Sequence, residues 1–277
     1  MDLSTLSSTD LLMLAAGLVG ASILAGTVAG LLGVGGGIVL VPVLYWLFTL
    51  VNFPTGLTMH MAVATSMATI IATSTFSMRA HHKRGAVDLE LVRRWAPALA
   101  LGALAGGLAA RLFEPAVLTG IFGVVGLLVA GNMVLPRPLL IADHMPARPV
   151  QAAMAAVIGF ISSLMGIGGG TLGVPVMAAF GYPIHRAVGT GAAFGVVIAV
   201  PAVIGFVVSG WDVPGLPPLS LGYVSLAAAA IILPFTTSFA PLGARLAHAL
   251  EPEWVKRAFA LFLSVTAVRM LLSTFGS

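Results

Sequence analysis

The chain has 277 residues, 59% of them hydrophobic and only 8% charged, with a mean hydropathy of +1.08. Soluble domains carry roughly 25% charged residues, so this composition excludes an ordinary water-soluble protein and points to an all-α polytopic membrane protein lying in the lipid bilayer. The excess of 13 Lys and Arg over 9 Asp and Glu suits the inner face of a membrane rather than nucleic acid, and the absence of cysteine excludes a disulfide framework, a thiol nucleophile and a Cys-based metal site.

Residues 1–10 carry two Asp and no Lys or Arg, so they lack the basic start of a cleaved signal peptide, and residues 11–32 read as a retained apolar helix. The stretch GLLGVGGGIVLVPVL follows, with Gly33 and the triplet Gly35, Gly36 and Gly37 inside an apolar run. Residues 38–51 are too short for a full span of about 20 residues. A turn at Asn52, Phe53 and Pro54 leads to a helix over residues 57–78, which holds His60, Thr65, Ser66 and Thr69. Residues 79–94, RAHHKRGAVDLELVRR, are the strongly charged loop. Two spans at 96–112 and 116–135 and a linker at 136–149 close this half. Gly102 and Gly106 give the first of these spans a small-residue face that allows close packing, within the chain or in a homodimer.

The second half repeats the plan. SLMGIGGGTLGVPVM, residues 163–177, aligns with the first glycine stretch at an offset of 133. Gly33 falls on Gly166, the first triplet falls on Gly168, Gly169 and Gly170, and Pro42 falls on Pro175. HMAVATS at 60–66 aligns with HRAVGTG at 185–191, and Glu114-Pro115 with Glu251-Pro252. A short apolar piece to Phe180, a helix over 185–208, a Gly/Pro-rich loop at 209–218 and spans at 221–244 and 255–274 complete it. The chain therefore reads as two membrane repeats, 11–135 and 150–274, with about 8–10 membrane segments in all.

Charge gives the repeats their relative direction. The loop at 79–94 has five Lys or Arg, whereas its counterpart at 209–218 has none and one Asp. Lys and Arg mark the cytoplasmic side, so equivalent loops lie on opposite faces and each unit crosses the membrane an odd number of times. This arrangement predicts inverted-topology repeats, both termini outside, a cytoplasmic linker and 11 of the 13 basic residues inside.

Two readings of the glycines are open. They allow close helix approach, or they expose peptide groups in a concave nest at a helix start, where an anion can bind. Their appearance in both repeats favours a site. His60 and His185, kept in both copies, are candidates for gating or proton linkage, and Thr65, Ser66 and Thr190 offer hydroxyls nearby. His81, His82 and His144 read as solvated rather than as a metal site, and Arg269, which aligns with Asn132, either snorkels or lends charge to an anion path. No acidic residue occupies the middle of a span, which favours an anionic or neutral substrate over a cation. No set of residues at catalytic spacing appears, so no enzyme activity and no cofactor are expected.

The twin G-x-GGG…P stretches, followed by HMAVATS and HRAVGTG, resemble the TauE/SafE family of sulfite exporters over nearly the whole chain. The resemblance implies a bacterial inner-membrane permease for sulfite or small organosulfur anions such as sulfoacetate. Its glycine blocks map onto Gly33, Gly35, Gly36, Gly37, Gly166, Gly168, Gly169 and Gly170. Its A-V-x-T-S motif maps onto residues 62–66 and 187–191, with Gly191 where Ser is usual. The expected function is export of a small sulfur oxyanion by alternating access; a passive anion channel and a membrane scaffold are the alternatives.

Overall fold

The computed structural model describes residues 8–51, 53–134, 140–246 and 252–275. Ten α-helices occupy most of them: α1 (Ser8–Leu32), α2 (Gly37–Leu50), α3 (Thr55–His82), α4 (Leu89–Ala109), α5 (Pro115–Val134), α6 (Arg148–Met165), α7 (Gly170–Ala179), α8 (Ile184–Ser209), α9 (Leu226–Leu246) and α10 (Pro252–Phe275). Seven helices among the described residues are long and apolar enough to cross a membrane, whereas α2, α7 and the apolar part of α10 (Phe259–Ser273) are shorter. Asn52, Arg137 and Glu251 lie outside the described residues.

Local chemistry sets the boundaries. Gly33 and Gly166, aligned in sequence, both adopt φ 68° and end α1 and α6, a conformation that glycine takes without a Cβ penalty. Pro54 and Pro183 stand at the N-caps of α3 and α8, each in an extended conformation that no helix continues through. Asp88 caps α4 by accepting the Leu91 N–H at 3.0 Å. That cap starts α4 early, so Arg93 and Arg94 are helical rather than part of the charged loop. Residues 220–225 form a small antiparallel hairpin, β1 (Ser220–Leu221) with β2 (Val224–Ser225), and α9 begins only at Leu226.

α3 and α8 are the most buried of the spanning helices and pack against one another at the centre. α1 packs on α9 and α6 on α4; α3 packs on α9 and α8 on α4; α2 packs on α3 and α7 on α8; α5 packs on α10. Exchanging the two halves of the chain therefore reproduces the same set of pairings. Glycines set the tightest crossings at equivalent places. A Cβ on Gly26 would lie 2.6 Å from the Thr236 carbonyl oxygen, and one on Gly159 would overlap that of Leu99. Gly102 and Gly106 bring α4 onto α6, against Ala156, Phe160 and Ser163, so this small-residue face is filled within the chain.

Candidate functional site

The two glycine segments meet in the interior. Gly35 and Gly168 lie against each other: a Cβ built on either would stand about 3 Å from the Cα of the other (3.0 and 2.9 Å). A Cβ on Gly37 would overlap the Gly166 carbonyl oxygen, and one on Gly170 would overlap that of Gly33. All eight glycines of the two blocks are buried. The triplets nevertheless differ in conformation. Gly35 (φ 77°) and Gly36 (φ 81°) are left-handed, whereas Gly168, Gly169 and Gly170 have no positive φ. In the second copy, want of space rather than backbone freedom requires glycine: a Cβ on Gly169 would lie 2.6 Å from that of Phe194.

Where the peptide groups go is the chemical question. Among the described residues, the Val39 and Leu40 N–H groups turn back to the Gly36 carbonyl, and those of Thr171 and Gly173 to Gly168 and Gly169. The N–H groups of Gly35, Gly36 and Gly37, and of Gly168, Gly169 and Gly170, reach no acceptor there. Two helix N-termini, those of α2 and α7, thus carry unpaired donors in the protein interior, and each end holds about half a positive charge.

The neighbouring hydroxyls divide into two kinds. Ser66 donates to the Gly166 carbonyl oxygen at 2.8 Å and so belongs to the crossing. Thr65 accepts the Ser225 N–H at 2.9 Å, and Thr190 accepts the Asp88 N–H at 3.0 Å. These are equivalent bonds, in which the motif threonine of one half holds the residue that starts α9 or α4. Thr65→Val is expected to destabilise the protein by about 1–3 kcal/mol, the cost of an unpaired buried N–H. Thr190→Val should do less, since Asp88 is partly exposed; a melting-temperature comparison checks the order.

His60 is buried with Nε2 3.0 Å from the Ala110 carbonyl oxygen and 3.1 Å from that of Phe113, and its ring stacks on Tyr223. It lies about 9 Å along α3 from Ser66, and its partners belong to the short turn that follows α4. His185 is exposed at the start of α8. The glycine crossing and Ser66 are thus brought together, and the two histidines stand apart from it. His81, read from the sequence as solvated, is buried with Nε2 2.9 Å from the Gly30 carbonyl oxygen at the end of α1. Arg269 lies over the Trp46 ring at 4.6 Å, on α2.

Ser74 escaped the sequence reading. Its hydroxyl is fully buried and unpaired, 3.1 Å from where a Gly35 Cβ would stand. Ser66, Ile70 and Ser74 recur at intervals of four and form one stripe of α3 against the glycines.

Beside the N-terminus of α7 lies a cavity of about 140 Å³. Its walls include Val34, Asn132, Gly170, Thr171, Val174 and Val188. Most of the aligned positions of the other half are closed: Ile38, Val41, Val63 and Ile167 are buried without residual exposure, and so are Met59, Phe122 and Met270, whereas Arg269, aligned with Asn132, is exposed and Tyr45, aligned with Ala178, is partly exposed. The side chains contribute to this, because Ile38 stands where the cavity has Thr171, and Tyr45 where it has Ala178.

At the start of α8, near this cavity, Asp88 binds the Tyr182 hydroxyl and the Arg186 guanidinium, the latter at 3.0 Å. Partial burial pushes the Asp88 carboxyl up, but the Tyr182 hydroxyl, the Leu91 N–H and the Arg186 charge outweigh it and hold it below the usual carboxylate range. Tyr182 is pushed up to about 12 by burial and by that carboxylate.

The family model described as sulfite exporter TauE/SafE matches residues 18–270. A "probable membrane transporter protein" of Haemophilus influenzae is 37% identical over 256 residues, covering 92% of this chain and 96% of that protein. Another, of Methanocaldococcus jannaschii, is 25% identical over 256 residues, covering 89% and 91%. A Bacillus subtilis protein of the same description, YunE, is 32% identical over 188 residues, covering 61% and 69%. No solved structure matches the chain. With its apolar helices and a family match over nearly its whole length, the chain is a multi-pass membrane protein and belongs to the sulfite exporter TauE/SafE family of membrane transporters.

Proposed function

We propose that the protein is a secondary transporter that exports a small sulfur oxyanion, sulfite or a small organosulfonate such as sulfoacetate, across the bacterial inner membrane by alternating access. In this reading residues 11–135 and 150–274 are inverted repeats with both chain termini outside, and the linker 136–149 is cytoplasmic. The observation that carries it is the cavity at the α7 N-terminus, lined by Thr171, Val174, Val188 and Val34, while the aligned Ile38, Val41, Val63 and Ile167 of the other half are fully buried. Inverted repeats present the same path to opposite faces, so one open and one closed copy describe a transporter caught facing one side. The start of α8 lies at the cavity and carries Arg186 two residues on, so that side is the cytoplasm by the charge rule.

The anion is held by the donors left unpaired at the crossing: the N–H groups of Gly35, Gly36, Gly37, Gly168, Gly169 and Gly170, within backbone shaped by Gly33 and Gly166. Ser66 positions the Gly166 carbonyl, and Thr65 and Thr190 hold the two halves together without touching the anion. His60 and His185 act at the mouths, in gating or proton linkage. A sealed copy argues against a passive channel, which needs a continuous path.

Sulfite added to purified protein at ten times its dissociation constant should stabilise the fold by about 1.4 kcal/mol, and preloaded proteoliposomes should show sulfite counterflow. Thr65→Val should lower stability and leave that increment in place. Flux that follows the membrane potential with no counterflow would replace this reading with the channel. No stabilisation by sulfite or sulfoacetate would remove the site.

A further inference from the structure

A second concave region lies far from the glycines in sequence. Where α3 and α9 run out side by side, a recess of about 510 Å³ is lined by Arg79, His82, Lys83, Arg84 and Arg245, with Phe76, Ala80 and Pro241 as its apolar part. Four of these side chains carry permanent positive charge. The ion pairs among the described residues, Arg94 with Glu90 and Arg186 with Asp88, involve none of them. Arg84 is fixed on one wall by donating to the Ala244 carbonyl oxygen. The C-termini of α3 and α9 supply about half a negative charge each, which offsets roughly one of the four. A concave surface with about three uncompensated positive charges focuses its field on an anion.

The other half of the chain shows what the crossing needs and where it faces. The aligned positions of Arg79, Lys83 and Arg245 are Ile204, Val208 and Leu108, all exposed and apolar (53%, 57% and 40%). The same helix crossing therefore packs without charge, and it faces the surroundings with side chains suited to hydrocarbon. Phe76, 41% exposed, keeps that character at the edge of the recess. The recess thus opens sideways to the lipid at the level where α3 and α9 leave the membrane, rather than onto open water.

We infer that this recess binds the headgroup of an anionic phospholipid of the cytoplasmic leaflet, the phosphate lying among Arg79, Lys83, Arg84 and Arg245 and the acyl chains passing Phe76. Basic pockets between spanning helices at the cytoplasmic face are suited to such headgroups. Arg84 already holds the end of α9, so an occupied recess ties α3 to α9 across the two halves of the chain.

The test uses delipidated full-length protein in detergent, titrated with phosphatidylglycerol, phosphatidylcholine or free glycerol phosphate, reading retained lipid and melting temperature. Phosphatidylglycerol should be retained and stabilise the protein, and phosphatidylcholine should do neither. The triple variant Arg79→Gln, Lys83→Gln, Arg245→Gln should retain phosphatidylglycerol on the order of 100-fold less well, the factor for about 1 kcal/mol per charge. A control with equal loss of charge, Arg93→Gln, Arg94→Gln, Arg148→Gln, should behave as the parent. Equal loss in both variants would overturn the site in favour of general charge attraction, and an equal effect of glycerol phosphate would overturn the lipid in favour of a soluble phosphate. Sulfite stabilisation read on the same samples keeps the two proposals apart. It should survive in the recess variant, and its disappearance there would make the recess part of the transport path instead.

Discussion

Gly170→Ala and Gly37→Ala are each expected to abolish recovery of folded protein from detergent, whereas Gly20→Ala and Gly131→Ala leave it unchanged or improved. At Gly170 the added methyl group would overlap the Gly33 carbonyl oxygen, and at Gly37 that of Gly166. The obstacle in both cases is backbone of the opposing glycine segment, not the end of a flexible side chain. Overpacking costs about 1–3 kcal/mol where side chains can give way, and more where they cannot. Relieving this contact would pull the two segments apart and disturb four helix ends at once, against a total stability of about 5–15 kcal/mol. Nothing lies within 4 Å of a Cβ at Gly20 or Gly131, so those helices should gain up to about 1 kcal/mol in propensity. Gly36→Ala adds a different term, the cost of placing an L side chain at φ 81°, about 1–2 kcal/mol, together with contact with the Ala25 carbonyl oxygen at 2.7 Å. Size-exclusion profiles of fluorescent fusions, followed by melting curves, give the ranking. A Gly170→Ala protein that elutes and melts like the parent would mean that the two segments do not approach as described.

The same geometry explains which parts of the molecule could be read from its sequence. The apolar helices are local signals, visible as runs of apolar residues, and the recurring glycine triplets are visible in the sequence itself. The eight glycines stood out because glycine is costly inside a helix and appeared twice. What could not be read is which helix lies against which. α1 and α9 are joined through Gly26, Gly30 and Gly243, residues separated by about 200 positions, and no local pattern couples them. For the same reason the sequence shows the hydroxyls of Thr65 and Thr190 but not which groups they accept from. Their partners, the N–H groups of Ser225 and Asp88, are supplied by the start of a helix from the other half of the chain. His81 was misread because a histidine among Arg and Lys looks solvated, yet its ring is drawn inward by the Gly30 carbonyl. Ser74 was within reach: it continues the spacing of Ser66 and Ile70, but its significance depends on Gly35 arriving opposite.

Because the chain contains no cysteine, single introduced cysteines can report which copy of the path is open. Val188 lines the cavity and is partly exposed, whereas the aligned Val63 is fully buried. Val188→Cys should therefore react with a polar thiol reagent from the cytoplasmic side at least about tenfold faster than Val63→Cys reacts from outside, the ratio for an alternative state populated at 10% or less. The proposed export cycle requires that these states exchange. Sulfite supplied on the side that drives turnover should slow Val188→Cys and speed Val63→Cys together, because one conformational change closes the first path and opens the second. Tyr45 gives a second lever, since it is the larger, partly buried side chain at the position aligned with Ala178, which lines the cavity. Tyr45→Ala should raise the outside reactivity of Val63→Cys and lower that of Val188→Cys by shifting the population toward the opposite state. If Tyr45→Ala exposes Val63→Cys while Val188→Cys stays fully reactive, both paths are open at once. The protein would then conduct rather than alternate, and the seal over Ile38, Val41 and Val63 would be a plug made of side chains rather than one end of a moving path.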